Sequence, residues 1–151
     1  MKQNPKLQTI QENMAPGAYT AHGFLGDDTR NLLDILKQDQ FDINKLGTTH
    51  EEVARRMRYF TEIGITSPDV PIVVDDIYEV TVDDHRGYIP CPFADNVKEI
   101  KRNTKLTNLT LGKTIYWSDL TIHMIEKHGF YEGKGSFFRN DPDTLYMLLG
   151  L

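Results

Sequence analysis

The hydrophobic positions of this chain follow helical spacing towards both ends and alternate with polar residues in the middle. A stripe of leucines, Leu32, Leu33 and Leu36, predicts a first helix that is capped by Asp27 or Asp28 and ends near Gln40. Thr49 has the residue type and position of an N-cap for a second helix, which Gly64 is expected to end. These two helices are predicted to pack against each other or onto a sheet.

The alternating middle region predicts strands rather than helices, because alternate side chains of a strand point to opposite faces. Two hairpins are expected in this region. The first turns at residues 83–87, which read Asp-Asp-His-Arg-Gly, and the second turns near Gly112. Prolines on both sides of Cys91 predict that any strand ends there, because they remove two hydrogen-bond donors.

Two more helices are predicted near the C-terminus. One is capped by Ser118 or Asp119 and runs to about His128, and the other has Pro142 at its first position. The predicted fold class is therefore α+β, with N-terminal helices, a small mainly antiparallel sheet from two hairpins, and C-terminal helices. The length fits a single globular domain, 1–151, in which residues 1–26 form an irregular arm.

Charge and composition argue against several classes of function. The net charge of -5, from 17 basic and 22 acidic residues, disfavours general nucleic-acid binding, which requires a basic surface. The single cysteine cannot form an internal disulfide, and no signal peptide or membrane-spanning run is recognised. We therefore expect a cytoplasmic protein with no membrane association. Its oligomeric state is left open by the sequence.

The segment from Trp117 to Arg139 concentrates the functional groups of the chain around one short helix and the loop that follows it. Backbone N–H groups of a glycine-rich loop can converge on an anion, and neighbouring basic side chains add charge. The first hypothesis is that the 128–139 loop binds a small anionic molecule or an acidic group of a protein partner. The predicted ligand-binding residues are His128, Tyr131, Lys134, Ser136 and Arg139. The alternative is that this loop only packs, with Arg139 paired to Glu132 or Asp141.

The second hypothesis is a zinc site formed by Cys91, His123 and His128, with His85 or an aspartate as a fourth ligand. The two helical histidines are five residues apart, which places them about 140° apart around an ideal helix. They are expected to share a metal only if the last helical turn unwinds. Because structural zinc sites usually contain paired cysteines, the sequence predicts no cofactor, with zinc as the alternative.

The third hypothesis is a cysteine-dependent enzyme, since a lone intracellular cysteine becomes a nucleophile when a histidine lies near it. Against this, Cys91 is not predicted at a helix N-terminus, which is the usual device for lowering a thiol pKa. Its apolar neighbours Ile89 and Phe93 favour a buried and inert thiol. Whether the protein is an enzyme stays open at this level.

Three segments of this chain resemble sequence segments of small uncharacterised bacterial proteins. They read IHMIEKHGFYEGKGS at 122–136, YIPCPF at 88–93 and THEEVARRM at 49–57. The resemblance implies a bacterial, cytoplasmic setting. It implies no activity and no substrate.

Overall fold

The computed structural model describes residues 3–151, which form five α-helices and one four-stranded antiparallel sheet. The helices are α1 (Pro5–Asn13), α2 (Leu32–Leu46), α3 (His50–Ile65), α4 (Asp119–His128) and α5 (Pro142–Leu148). The strands are β1 (Ile72–Val74), β2 (Tyr78–Pro90), β3 (Lys98–Asn108) and β4 (Lys113–Ser118), which are neighbours in chain order. The predicted α+β class is confirmed.

Residues 5–13 of the predicted irregular arm form a helix. Asn4 caps α1 by accepting a hydrogen bond from the Leu7 N–H (2.8 Å), and Pro5 occupies the first helical position. Ile10 and Met14 bury their side chains in the core, which gives this short helix its tertiary anchor.

Helix α2 begins and ends later than predicted. Its N-cap is Asn31, and Gln11 of α1 accepts a hydrogen bond from the Leu32 N–H (2.9 Å). Asp28, one of the two predicted caps, instead forms an ion pair with Arg30 (2.6 Å). The start of α2 therefore depends on a partner from another helix, which local sequence signals do not contain.

Helix α3 begins as predicted, but it continues past its predicted end at Gly64 and ends at Ile65. Thr49 accepts a hydrogen bond from the Glu52 N–H (3.1 Å), which confirms the N-cap. Gly64 lies inside the helix, where a Cβ atom would overlap the Val82 side chain of β2. This glycine serves the close approach of helix and sheet and does not end the helix.

The predicted turn at residues 83–87 is wrong, because β2 continues through it. Asp84 pairs with Arg102 and Tyr88 pairs with Ile100, so four steps along β2 match two along β3. The extra residues form a bulge, which lets polar, turn-like residues remain in a strand. Residues 91–97 make the connection between β2 and β3, and they place Cys91 in a hairpin loop.

Helix α4 forms as predicted and joins the two halves of the core. Ser118 caps it, and Gly129 ends it in the left-handed conformation. One face of α4 packs with α3 and the sheet, whereas the other packs with α1, α2 and the 91–97 loop. Among residues 3–151, no helix combines the length and apolar character that a membrane span requires.

Candidate metal centre and glycine-rich loop

The fold brings together Cys91, Asp95, His123 and His128 beside the C-terminal half of α4. One potential ligand atom from each residue lies within 4.8 Å of those of the other three. Nε2 of each histidine lies 2.7 Å from the same oxygen, Oδ2 of Asp95. The cluster contains the three residues predicted as metal ligands and adds one carboxylate. It could hold a metal ion.

The 91–97 loop positions the cysteine and the aspartate. The Cys91 N–H donates a hydrogen bond to the Val97 carbonyl (2.8 Å), which closes the loop. Oδ1 of Asp95 accepts from the Val97 N–H (3.1 Å), and Oδ2 faces the histidines. Ala94 and Asn96 have φ angles of 56° and 63°, a region that residues with a Cβ atom rarely adopt. Strain of this kind is concentrated at functional sites.

The two histidines converge on Asp95 with the last turn of α4 intact, although the sequence made unwinding of that turn the condition for a shared metal. The Gly129 N–H donates to the Ile125 carbonyl (3.0 Å), which keeps the last turn intact. The ring centroids of His123 and His128 are 5.5 Å apart, with their planes at 80°. Asp95 reaches both rings with one oxygen, which overcomes the angular separation of the two positions.

Burial differs among the four side chains. Cys91 and His123 are buried, whereas Asp95 and His128 are partly exposed. Phe93 stacks on His128 with parallel rings and centroids 4.0 Å apart. A groove of about 410 Å³ between α1 and the 91–97 loop is bordered by Asp95 and His128, so these two members of the cluster face the groove.

The protein environment shifts the pKa values of Cys91 and Asp95 in opposite directions. Burial raises the pKa of the Cys91 thiol to about 12, so the free thiol stays protonated at neutral pH. Burial also opposes ionisation of Asp95, but hydrogen bonds from His128, His123 and the Val97 N–H lower its pKa below the usual range. Asp95 is therefore an ionised carboxylate that accepts from both rings. A cation placed among these groups would favour the thiolate.

Asp95 is not named among the predicted ligands, because a turn at 83–87 leaves the residues after Cys91 without a defined partner. The available signal was a carboxylate four residues after a cysteine, in a short segment that begins with two prolines. His85, the other suggested fourth ligand, lies on β2 and pairs with Asp83 (3.2 Å).

The predicted anion-binding residues of the 128–139 loop are directed to different partners. His128 belongs to the candidate metal centre, and the buried hydroxyl of Tyr131 forms a hydrogen bond with Nδ1 of His50 (2.8 Å). The Ser136 hydroxyl donates to Oε1 of Glu132 (2.6 Å). The contacts of His128 and Tyr131 hold the loop against the rest of the protein, and the Ser136–Glu132 bond holds the loop's own conformation.

The side chain of Arg139 is only 8% exposed, and its guanidinium group contacts three other residues. It forms ion pairs with Asp39 (2.7 Å) and Asp141 (3.0 Å) and donates to the Glu132 carbonyl (3.0 Å). The Asp141 pair is the one that the packing alternative predicts. The Asp39 pair joins this loop to α2.

Lys134 and Arg139 nevertheless border one charged cleft of about 630 Å³. Its other charged residues are of both signs: Arg30, Lys45, Asp39, Asp42, Asp141 and Asp143. The carboxylates balance the basic groups, so this cleft has no strong preference for an anion.

Comparison with protein-family models, with curated proteins and with solved structures finds no match. The functional proposal therefore rests on the geometry of the described residues.

Proposed function

We propose that this protein binds one zinc ion through Cys91, Asp95, His123 and His128. The observation that carries the proposal is the convergence of four potential ligand atoms within 4.8 Å. Thiolate, imidazole and carboxylate are the groups that bind zinc in proteins, and four of them complete its tetrahedral shell. The expectation of no cofactor rested on the lack of a second thiolate, and a carboxylate takes that place in the cluster.

The spacing of the four groups is close to what zinc requires. Zinc–ligand bonds of about 2.0–2.3 Å imply ligand atoms roughly 3.3–3.8 Å apart in a tetrahedron. Separations of up to 4.8 Å then contract by at most about 1.5 Å, and each 2.7 Å contact between Asp95 and a histidine lengthens by roughly 0.6–1 Å. Small rotations of side chains supply such shifts.

The main consequence of binding would be to stabilise the tertiary structure. Cys91 and Asp95 come from the hairpin loop, whereas both histidines come from α4, so a shared ion joins two elements far apart in sequence. A shell of four protein ligands is typical of structural rather than catalytic zinc. Without a metal ion the buried Cys91 thiol stays protonated, whereas a bound zinc ion would hold it as a thiolate.

Metal analysis of the purified full chain tests the proposal. We expect about one zinc per chain, and we expect a chelator to lower the unfolding temperature, because binding free energy adds to folding free energy. The variants Cys91→Ser and His128→Ala should lose the metal. His85→Ala is the matched control, since His85 is exposed and lies outside the cluster, and it should retain the ion.

Cobalt substitution identifies the ligands directly. A thiolate bound to Co²⁺ gives an intense charge-transfer band, which we expect in the wild-type protein and not in Cys91→Ser. Iron in place of zinc would indicate that the two histidines and Asp95 act as a separate triad, since that set is typical of Fe²⁺ sites. Protein without stoichiometric metal, and without a gain in stability on zinc addition, would refute the proposal.

Two other functions stay predictions. Anion binding by the 128–139 loop has Lys134 exposed beside the charged cleft in its favour, but Arg139 already pairs with two carboxylates. Nucleophilic catalysis by Cys91 has nearby histidines in its favour, but the thiol is buried and its pKa is raised to about 12. Metal binding fits that environment better, because a bound cation favours the thiolate form of Cys91.

A further inference from the structure

A second cleft, of about 510 Å³, lies between residues 20–26 and residues 132–138. It shares no lining residue with the candidate metal centre. Most of its wall is apolar, and the large apolar side chains that border it are Phe24, Ile89, Leu120, Phe137 and Phe138. A concave, mainly apolar site with a few polar groups is the usual form of a small-molecule binding site.

Backbone contacts between two glycine-containing segments shape this cleft. The Gly133 N–H donates to the Phe24 carbonyl (2.9 Å), and the Asp27 N–H donates to the Lys134 carbonyl (3.0 Å). At Gly26 and at Gly133, a Cβ atom would overlap the backbone of the opposing segment. The two walls are thus held at a distance that only glycine permits, so the cleft is formed before any ligand arrives.

The acidic residue that lines the cleft is Glu132, and the other polar lining residues are Thr20, His22, Ser118 and Ser136. Glu132 is 4% exposed and has a φ angle of 68°, which is strained for a residue with a side chain. Its Oε1 accepts from the Ser136 hydroxyl, and within residues 3–151 it takes part in no ion pair. Arg139 binds the Glu132 carbonyl and not its carboxylate. Burial raises the pKa of Glu132 to about 7.

The charge of Arg139 acts against burial but does not outweigh it, so the ionised carboxyl of Glu132 stays unfavourable. A ligand can relieve that cost by placing a positive charge on the carboxylate. Charge-assisted hydrogen bonds to a carboxylate are roughly twice as strong as neutral ones. The aromatic walls provide contact for an apolar body. An anionic ligand, by contrast, would face an acid that burial already destabilises.

We propose that this cleft binds a small organic amine, with its ammonium group on the Glu132 carboxylate and its apolar body between Phe24, Phe137 and Phe138. The Ser136 hydroxyl holds the carboxylate oxygen in place. This binding is independent of the proposed zinc site, because the two sites use different residues.

Three probes that differ in one group test the proposal: 2-phenylethylamine, 2-phenylethanol and 3-phenylpropionate. Titrations followed by NMR of the full chain, at slightly alkaline pH, keep Glu132 ionised and the amine protonated. We expect the amine to bind at least about tenfold more tightly than the alcohol, which corresponds to one charged hydrogen bond. The carboxylate probe should bind more weakly than the alcohol.

The variant Glu132→Gln should remove the preference for the amine, and exposed Glu62→Gln on α3, with the same change in charge, should keep it. Phe137 is 73% exposed, so Phe137→Ala should keep the fold and weaken all probes together. If Glu132→Gln does not fold, Phe137→Ala and the comparison of the three probes on the wild-type protein still test the proposal. Equal affinity for the amine and the carboxylate would overturn the proposal. So would amine binding that Glu132→Gln leaves intact, or no amine binding at millimolar concentration.

Discussion

At the scale of single residues, the ion pair between Asp39 and Arg139 is the most buried charge interaction described. Asp39 has 0% exposure, and its two oxygens accept from Arg139 at 2.7 and 3.0 Å. The residues are 100 positions apart, so the pair joins α2 to the C-terminal loop. Removing one partner leaves the other as an uncompensated buried charge.

Arg139→Ala is therefore expected to lower the free energy of unfolding by about 3–5 kcal/mol, as measured by urea denaturation. The double variant with Asp39→Ala should lose less than the sum of the two single variants, because no isolated charge remains. Lys134→Ala is the control and should change stability little, since Lys134 is exposed. An unchanged stability in Arg139→Ala, with weaker binding of phosphate, would favour the anion hypothesis instead.

At the scale of elements, the contact between the two glycine-containing segments replaces regular secondary structure. Gly133 does not have a positive φ angle, so its role is steric: a Cβ atom would overlap the backbone of Leu25. Gly112 is the opposite case, with a φ of 66° and open space around it. Substitutions at these two positions therefore measure two different costs: steric overlap at Gly133 and left-handed backbone conformation at Gly112.

We expect Gly133→Ala to destabilise the protein by at least about 2 kcal/mol, because the two segments must move apart. Gly112→Ala should cost only about 1 kcal/mol, from left-handed backbone alone. Thermal unfolding of both variants measures the difference. A smaller loss at Gly133 than at Gly112 would show that the two segments separate easily, which would also weaken the case for a preformed cleft.

At the scale of the whole molecule, α3 packs against both the sheet and α4 and belongs to the larger hydrophobic cluster. The Met57 side chain on this helix is 0% exposed. Met57→Asp should therefore destabilise the protein by about 4 kcal/mol or more, because it buries an unpaired charge. Arg55→Asp on the exposed side of the same helix should change stability by less than about 1 kcal/mol. Similar urea midpoints for the two variants would contradict this core.

The sequence by itself determined the features that depend on neighbouring residues. The caps at Thr49 and Ser118, the helix end at Gly129 and the first position of α5 at Pro142 all lie where their local signals predict. Capping, left-handed glycine and proline geometry act within a few residues, so the chain carries that information locally. The same holds for the α+β class, which follows from hydrophobic periodicity.

Only the tertiary structure decided how distant residues meet. Register with β3 carried β2 through the polar 83–87 run, and this placed Asp95 next to the two histidines of α4. Packing of α2 selected Asp39 as the partner of Arg139. Such contacts depend on how elements dock, and docking is governed by the burial of whole faces rather than by the residues at the site. The candidate ligands Cys91, His123 and His128 could thus be named from sequence, whereas their convergence required the fold.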